Sequence, residues 1–100
     1  MSKLPISLQK RKIFDFCKKH HIAYLALFGS VITPYFTKKS DVDVLVKFEK
    51  EYIPGLFGMV EMESELSIIF GYPVDLRTPN DLSHYFRSDV LAKAKTIYGK

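Results

Sequence analysis

Two short stretches of this chain combine residue types that can do chemistry. Gly29-Ser30 closes the apolar run Ile22–Phe28, and ten residues later Asp41-Val42-Asp43 opens the apolar run Val44-Leu45-Val46. Glycine lets a backbone approach a ligand closely. A serine behind it can cap a following helix while its hydroxyl and the nearby N–H groups face an anion. Two carboxylates one residue apart offer oxygen ligands to a hard cation, and magnesium is usually held by one or two carboxylates together with substrate phosphates and water. The pair of motifs therefore points to metal-dependent chemistry on a nucleotide.

Strand geometry sharpens that reading. Side chains alternate across a strand, so Asp41, Asp43, Leu45 and Lys47 share one face and Val42, Val44 and Val46 the other. Aspartate is depleted in strands because it competes for backbone hydrogen bonds and resists burial, so a pair of them needs a local reason such as a bound cation. Pro73-Val74-Asp75-Leu76 supplies a third acid with its apolar neighbours aimed the other way. Three carboxylates on one sheet surface suit two-metal catalysis, in which one ion activates the attacking hydroxyl and the other stabilises the leaving group. The loop is not a Walker A sequence, and the chain contains no G-x-G-x-x-G.

Gly-Ser, ten residues, Asp-x-Asp and a later Val-Asp-Leu strand together resemble the minimal nucleotidyltransferase family, small members of the DNA polymerase beta superfamily. The resemblance runs from Ala23 to about Tyr98 and includes Pro54-Gly55-Leu56-Phe57-Gly58 and Tyr72-Pro73-Val74-Asp75-Leu76-Arg77-Thr78-Pro79. It implies an α/β (α+β) fold with a small mixed sheet packed by helices. By the same resemblance Gly29 and Ser30 bind the triphosphate of ATP, Asp41 and Asp43 hold Mg2+ in a two-ion site, and Asp75 assists a metal or acts as general base. It further implies an antitoxin that transfers AMP from ATP to a tyrosine of a HEPN-domain RNase toxin. One position departs from the pattern: family members often read Gly-Ser-x-x-Arg, whereas this chain has Thr33 followed by Pro34, which leaves Lys38, Lys39 or Arg77 to reach the phosphates.

Two rivals belong to other classes. One is a binder that neutralises its partner stoichiometrically without efficient catalysis, a reading favoured by Thr33. The other is an enzyme acting on RNA ends, hinted at by Lys10, Arg11, Lys12, Lys18 and Lys19 in a chain of net charge +4. A lysine-rich helix face is more often merely solvated. Similarly, a lone strand aspartate is ordinary on a solvent face or in an Asx turn, and only its spacing to Gly29-Ser30 lifts it above that.

One hundred residues with 47% hydrophobic content suffice for a single domain, residues 1–100, with no repeat or linker dividing it. No apolar run is long enough to span a bilayer, and Met1-Ser2-Lys3-Leu4-Pro5 lacks an apolar signal core, so a cytoplasmic location is expected. The single Cys17 cannot form an internal disulfide. No histidine or further cysteine stands at zinc-ligand spacing, His20 and His21 being adjacent and therefore divergent on a helix.

The elements needed to position the motifs follow from periodicity. A helix is expected from Ser7 as its cap to His20, with Ile13, Phe16 and Cys17 on one face, then a strand over Ile22–Phe28 and a short helix after Ser30 ending near Phe36. A strand over Val42–Phe48 follows, then a helix over Leu56–Phe70 with Leu56, Met59, Val60, Leu66, Ile69 and Phe70 recurring at three and four, stopped by Gly71. A strand over Pro73–Leu76 and a last helix over Ser83–Ile97 complete the order. Phe14, Phe16, Tyr35, Phe36 and Phe57 are expected in the core, with His84 and Tyr85 in the core or at its rim.

Overall fold

The computed structural model describes residues 4–99; Met1–Lys3, on which the reading of the N-terminus as lacking a signal core partly rests, and Lys100 lie outside the described residues. Helix α1 spans Lys10–Lys19, strand β1 Ile22–Phe28, β2 Val42–Phe48, helix α2 Leu56–Phe70, β3 Val74–Arg77, α3 Arg87–Lys93 and β4 Lys95–Gly99. Two short 3-10 turns, Gly29–Ile32 and Pro79–Asp81, follow β1 and β3. The four strands form one mixed sheet in the order β3-β2-β1-β4. β1 is antiparallel to both β2 and β4, and β2 is parallel to β3.

Alternation assigns the two faces. Val42, Val44 and Val46 are fully buried, and with Leu25, Leu27, Val74 and Leu76 they pack against Phe16 and Cys17 of α1 and Met62, Leu66, Ile69 and Phe70 of α2. Tyr24, Ala26 and Leu45 line the other face beneath Leu82, Leu91 and Ala94 of the segment that crosses from β3 to β4. That crossing segment covers only part of the second face, and the acids stand on the same face beyond it. Burial also pushes the Cys17 thiol up to about 12, which leaves it a neutral packing group.

β1, β2 and α2 lie where periodicity predicts them, and Gly71 ends α2 in the left-handed region at φ 76°. Other expectations are corrected. α1 starts at Lys10 behind Gln9 at φ 49°, with no side-chain cap, so Ser7 does not cap it. The helix expected to Phe36 is a single 3-10 turn that stops at Ile32, because Thr33 leaves it in an extended conformation and its hydroxyl donates back to the Ser30 carbonyl at 2.8 Å. Ser30 lies inside this turn, whose cap position is Phe28, and so does not cap it.

The largest correction is at the C-terminus, where the helix expected over Ser83–Ile97 divides into α3 and β4. Ala94 leaves the helical region at ψ 140°, and Lys95-Thr96-Ile97-Tyr98, rich in β-branched and aromatic residues, pairs with β1. Leu25 and Ala26 are wholly buried, so the outer edge of β1 needs a backbone partner that a helix cannot supply.

On α2 the core stripe is Met62, Leu66, Ile69 and Phe70, while Leu56 and Val60 turn outward at 76% and 52% exposure. Phe14, Tyr35 and Phe57 are likewise exposed, so that of the five aromatics expected in the core Phe16 is buried and Phe36 packs against the core edge. His84 and Tyr85 lie in the exposed turn before α3. Among the described residues no helix is long and apolar enough to cross a membrane.

β3 is held by side chains as well as by β2. The Glu63 carboxylate accepts from the Leu76 N–H at 2.8 Å, and the Ser67 hydroxyl accepts from the Val74 N–H at 3.0 Å while donating to the Glu63 carbonyl at 2.8 Å. These two bonds close the free edge of the strand that bears Asp75. Glu63→Ala is therefore expected to cost about 1–3 kcal/mol by orphaning a part-buried N–H, measured as a lower urea midpoint at unchanged slope.

Candidate active site

The acids are positioned by the register of the sheet. Phe28 on β1 stands opposite Asp43 on β2, and Asp43 stands beside Asp75 on β3, so one row crosses three strands at the end where β1 turns. Leu27, Val44 and Leu76 make the next row with their side chains in the core, which leaves Asp43 and Asp75 on the opposite face. Asp41 lies just ahead of β2 and is exposed, whereas Asp43 and Asp75 are half-buried.

Gly29 joins the turn to the acids. It adopts φ 72°, and a Cβ built on it would lie 2.2 Å from Asp43 Oδ2 and 3.1 Å from Asp43 Cγ. Only a residue without a side chain can turn the chain here and leave the carboxylate in place. The Gly29–Ser30 backbone and the Asp43 carboxylate are thus immediate neighbours despite thirteen residues between Gly29 and Asp43.

The electrostatics are those of crowded carboxylates. Burial, then the charges of Asp75 and Asp41, push the Asp43 carboxyl above its ordinary value, with Arg77 acting weakly against them. Asp75 is itself engaged: Arg77 Nε donates to Asp75 Oδ1 at 3.1 Å and Nη2 to Oδ2 at 3.2 Å, a two-pronged pair that raises the guanidinium's own pKa. Among the described residues no three His, Cys, Asp or Glu side chains are gathered as a ready metal cluster. The donor set nevertheless fits a hard cation, because Asp41 and Asp43 present only carboxylate oxygens and a cation would relieve the penalty on the Asp43 anion.

A cavity of about 830 Å3 lies between residues 4–10, α1 and β4 and holds none of these acids. The carboxylates instead stand at an open end of the sheet, which suits a large substrate better than a small enclosed one. Sequence reasoning missed two contributors: Glu63, a helix glutamate with no local signal, and β4, whose alternating Thr96 and Ile97 between Lys95 and Tyr98 were the available hint.

A mixed sheet that brings a glycine-serine turn against strand-borne acids defines the nucleotidyltransferase class of α/β proteins. The family described as polymerase beta, nucleotidyltransferase, matches residues 11–100, and the chain belongs to it. A relative from Methanocaldococcus jannaschii, provisionally named a protein adenylyltransferase, is 31% identical over 88% of this chain and 92% of its own length. Among solved structures, a toxin-antitoxin with AMP-PNP superposes with a TM-score of 0.74 at 21% identity, over 93% of this chain and 75% of that one. A tri-AMPylated Shewanella oneidensis HEPN toxin in complex with its MNT antitoxin gives 0.60 at 20% identity, over 91% of this chain and 70% of that one. Identities this low establish likeness of fold.

Proposed function

We propose that the chain is a magnesium-dependent protein adenylyltransferase that moves AMP from ATP to a tyrosine hydroxyl of a HEPN-type RNase and so acts as that toxin's antitoxin. The observation that carries the reading is the contact of Gly29 with Asp43, which brings an anion-accepting turn and a cation-accepting carboxylate to one point. The adenylyltransferase name of the Methanocaldococcus relative and the AMPylated toxin of the Shewanella complex support AMP as the transferred group and a HEPN protein as its acceptor.

In this reading the Gly29–Ser30 N–H groups bind phosphate oxygens, and Asp41 and Asp43 are the residues that would hold Mg2+. When bound, the ion supplies charge neutralisation at the phosphates and acidifies the attacking hydroxyl. The partner's tyrosine oxygen forms a bond to the α-phosphorus as the bond to pyrophosphate breaks, and Asp75 assists by holding a metal or by taking the hydroxyl proton. Arg77 keeps Asp75 oriented. The open end of the sheet leaves room for a protein acceptor, and positioning with electrostatics is nearly all that such a transfer asks of so short a chain.

The test is intact-mass spectrometry of a HEPN protein from the same genome after incubation with this chain, ATP and Mg2+. Mass gains in steps of one AMP are expected. A stable complex with no mass gain would instead favour stoichiometric neutralisation, the reading supported by Thr33, whose hydroxyl is tied to Ser30 and brings no cation to the turn.

A further inference from the structure

An open sheet edge and an apolar groove meet on the helical side of the sheet, away from the acids. β4 pairs only with β1, so among the described residues the N–H and C=O groups along its outer edge have no partner strand. Tyr98 and Lys95 stand opposite Leu25 and Leu27, whose side chains face the helical layer. A register shift between Leu25 and Ala26 leaves Ile97 as an extra residue, packed against the same core. Lys95, Ile97 and Tyr98 thus line one side of the cavity of about 830 Å3, whose other walls include Ile6, Leu8, Ile13 and Phe14. The Phe14 ring meets Tyr98 edge-on at 6.2 Å, so helix and strand touch along the groove. The charged side chains lining it are Lys10 and Lys95, with no acid beside them, and none of the ion pairs among the described residues uses either. Lys18 adds a third cation 5.6 Å from the centre of the Phe14 ring, and Asp15, the one acid of α1, is paired with Arg11.

We propose that the outer edge of β4 and this groove together bind an extended, acidic segment of a partner protein, which adds a fifth strand to the sheet. Its alternate apolar side chains enter the groove and its carboxylates meet Lys10 and Lys95. Three features select that occupant. The open edge matches a backbone in extended form. The apolar walls take every second side chain, the period of a strand. Two ammoniums without a protein counter-ion favour an anionic segment over a neutral one. A second copy of this chain is a poorer match, because pairing β4 with β4 brings two cationic grooves together on chains that each carry a net charge of +4. The lysine and the bulge also discourage indiscriminate strand addition, so carboxylates are what admit a partner. Binding here does not depend on the nucleotidyltransferase reading, since none of Gly29, Ser30, Asp41, Asp43 and Asp75 lines the cavity.

The test is fluorescence anisotropy of the full chain with a labelled synthetic peptide of about ten residues that alternates valine with glutamate. Saturable binding is expected with a Kd of roughly 10–100 μM, weakened at least about tenfold by Lys10→Glu/Lys95→Glu. Phe14→Ala, at a half-exposed side chain, is expected to weaken it about threefold or more and repeats the test should the double reversal fold poorly. The same peptide with lysine in place of glutamate, or with proline in place of alternate valines, is expected not to bind. In the 15N-labelled chain, peptide should slow amide exchange within Lys95–Gly99. No saturable binding up to about 1 mM, or equal binding of the proline peptide, overturns the proposal. So does protection that appears on other strands but not on β4. Decanoate that binds where the peptide does not would assign the cavity to a small amphipathic anion instead. A wild-type dimer whose β4 amides are already protected would make a second copy the occupant, and either result overturns strand addition by a partner.

Discussion

Gly29→Ala is expected to reduce AMP transfer by at least about a hundredfold and to destabilise the fold by about 2–4 kcal/mol. Two costs add at this residue. The backbone is at φ 72°, where a residue with a Cβ is strained, and that Cβ would overlap Asp43 Oδ2 at 2.2 Å. The overlap cannot be relieved by the turn alone, because Phe28 and Asp43 are register partners on adjacent strands. Either the carboxylate swings away or β1 and β2 separate at their ends, and each displaces the acid from the turn. The two costs are separable by a double-mutant cycle in urea. Gly29→Ala/Asp43→Ala removes the overlap and leaves only the backbone strain, so the double variant should be less destabilised than the sum of the singles by about 1 kcal/mol or more. Additive behaviour would mean that Gly29 and Asp43 are not in contact.

That contact explains why part of this site was legible in the sequence and part was not. Alternation along Asp41-Val42-Asp43-Val44 needs only the period of a strand, and it put Asp43 opposite the buried valines, as found. β1, β2 and α2 were legible for the same reason: each carries a long apolar pattern, with Gly71 closing the helix. What the chain does between such patterns was not. Thr33 folding its hydroxyl back onto Ser30 ends a helix that composition alone would extend, and Arg77 gripping Asp75 is a contact between neighbours whose partnership depends on rotamers. β4 was illegible because a five-residue edge strand has little periodicity of its own. Its existence follows from the unpaired edge of β1, a tertiary fact.

Asp41→Asn/Asp43→Asn is expected to abolish AMP transfer, a loss of about a thousandfold or more, while leaving partner binding intact and raising the stability of the metal-free chain. The sign follows from Asp43. Burial, Asp75 and Asp41 raise its carboxyl above the ordinary value, so over that interval the folded chain binds more protons than the unfolded one. The favourable contribution of the protonated form is complete below the unfolded carboxylate's pKa and is lost as pH rises through the folded one. At neutral pH the wild-type fold therefore carries an uncompensated carboxylate that the asparagines remove. Thermal unfolding without divalent metal should place the double variant above wild type at pH 7, with the gap closing on acidification toward the carboxylate range. Saturating Mg2+ should raise the wild-type melting temperature and leave the variant unmoved, since a ligand that binds only the folded acids stabilises by mass action. A variant that melts below wild type in metal-free buffer, or that gains as much from Mg2+, would show that Asp41 and Asp43 are structural rather than cation-holding. Both results together with lost transfer would identify a site whose chemistry is maintained against the stability of the sheet that bears it.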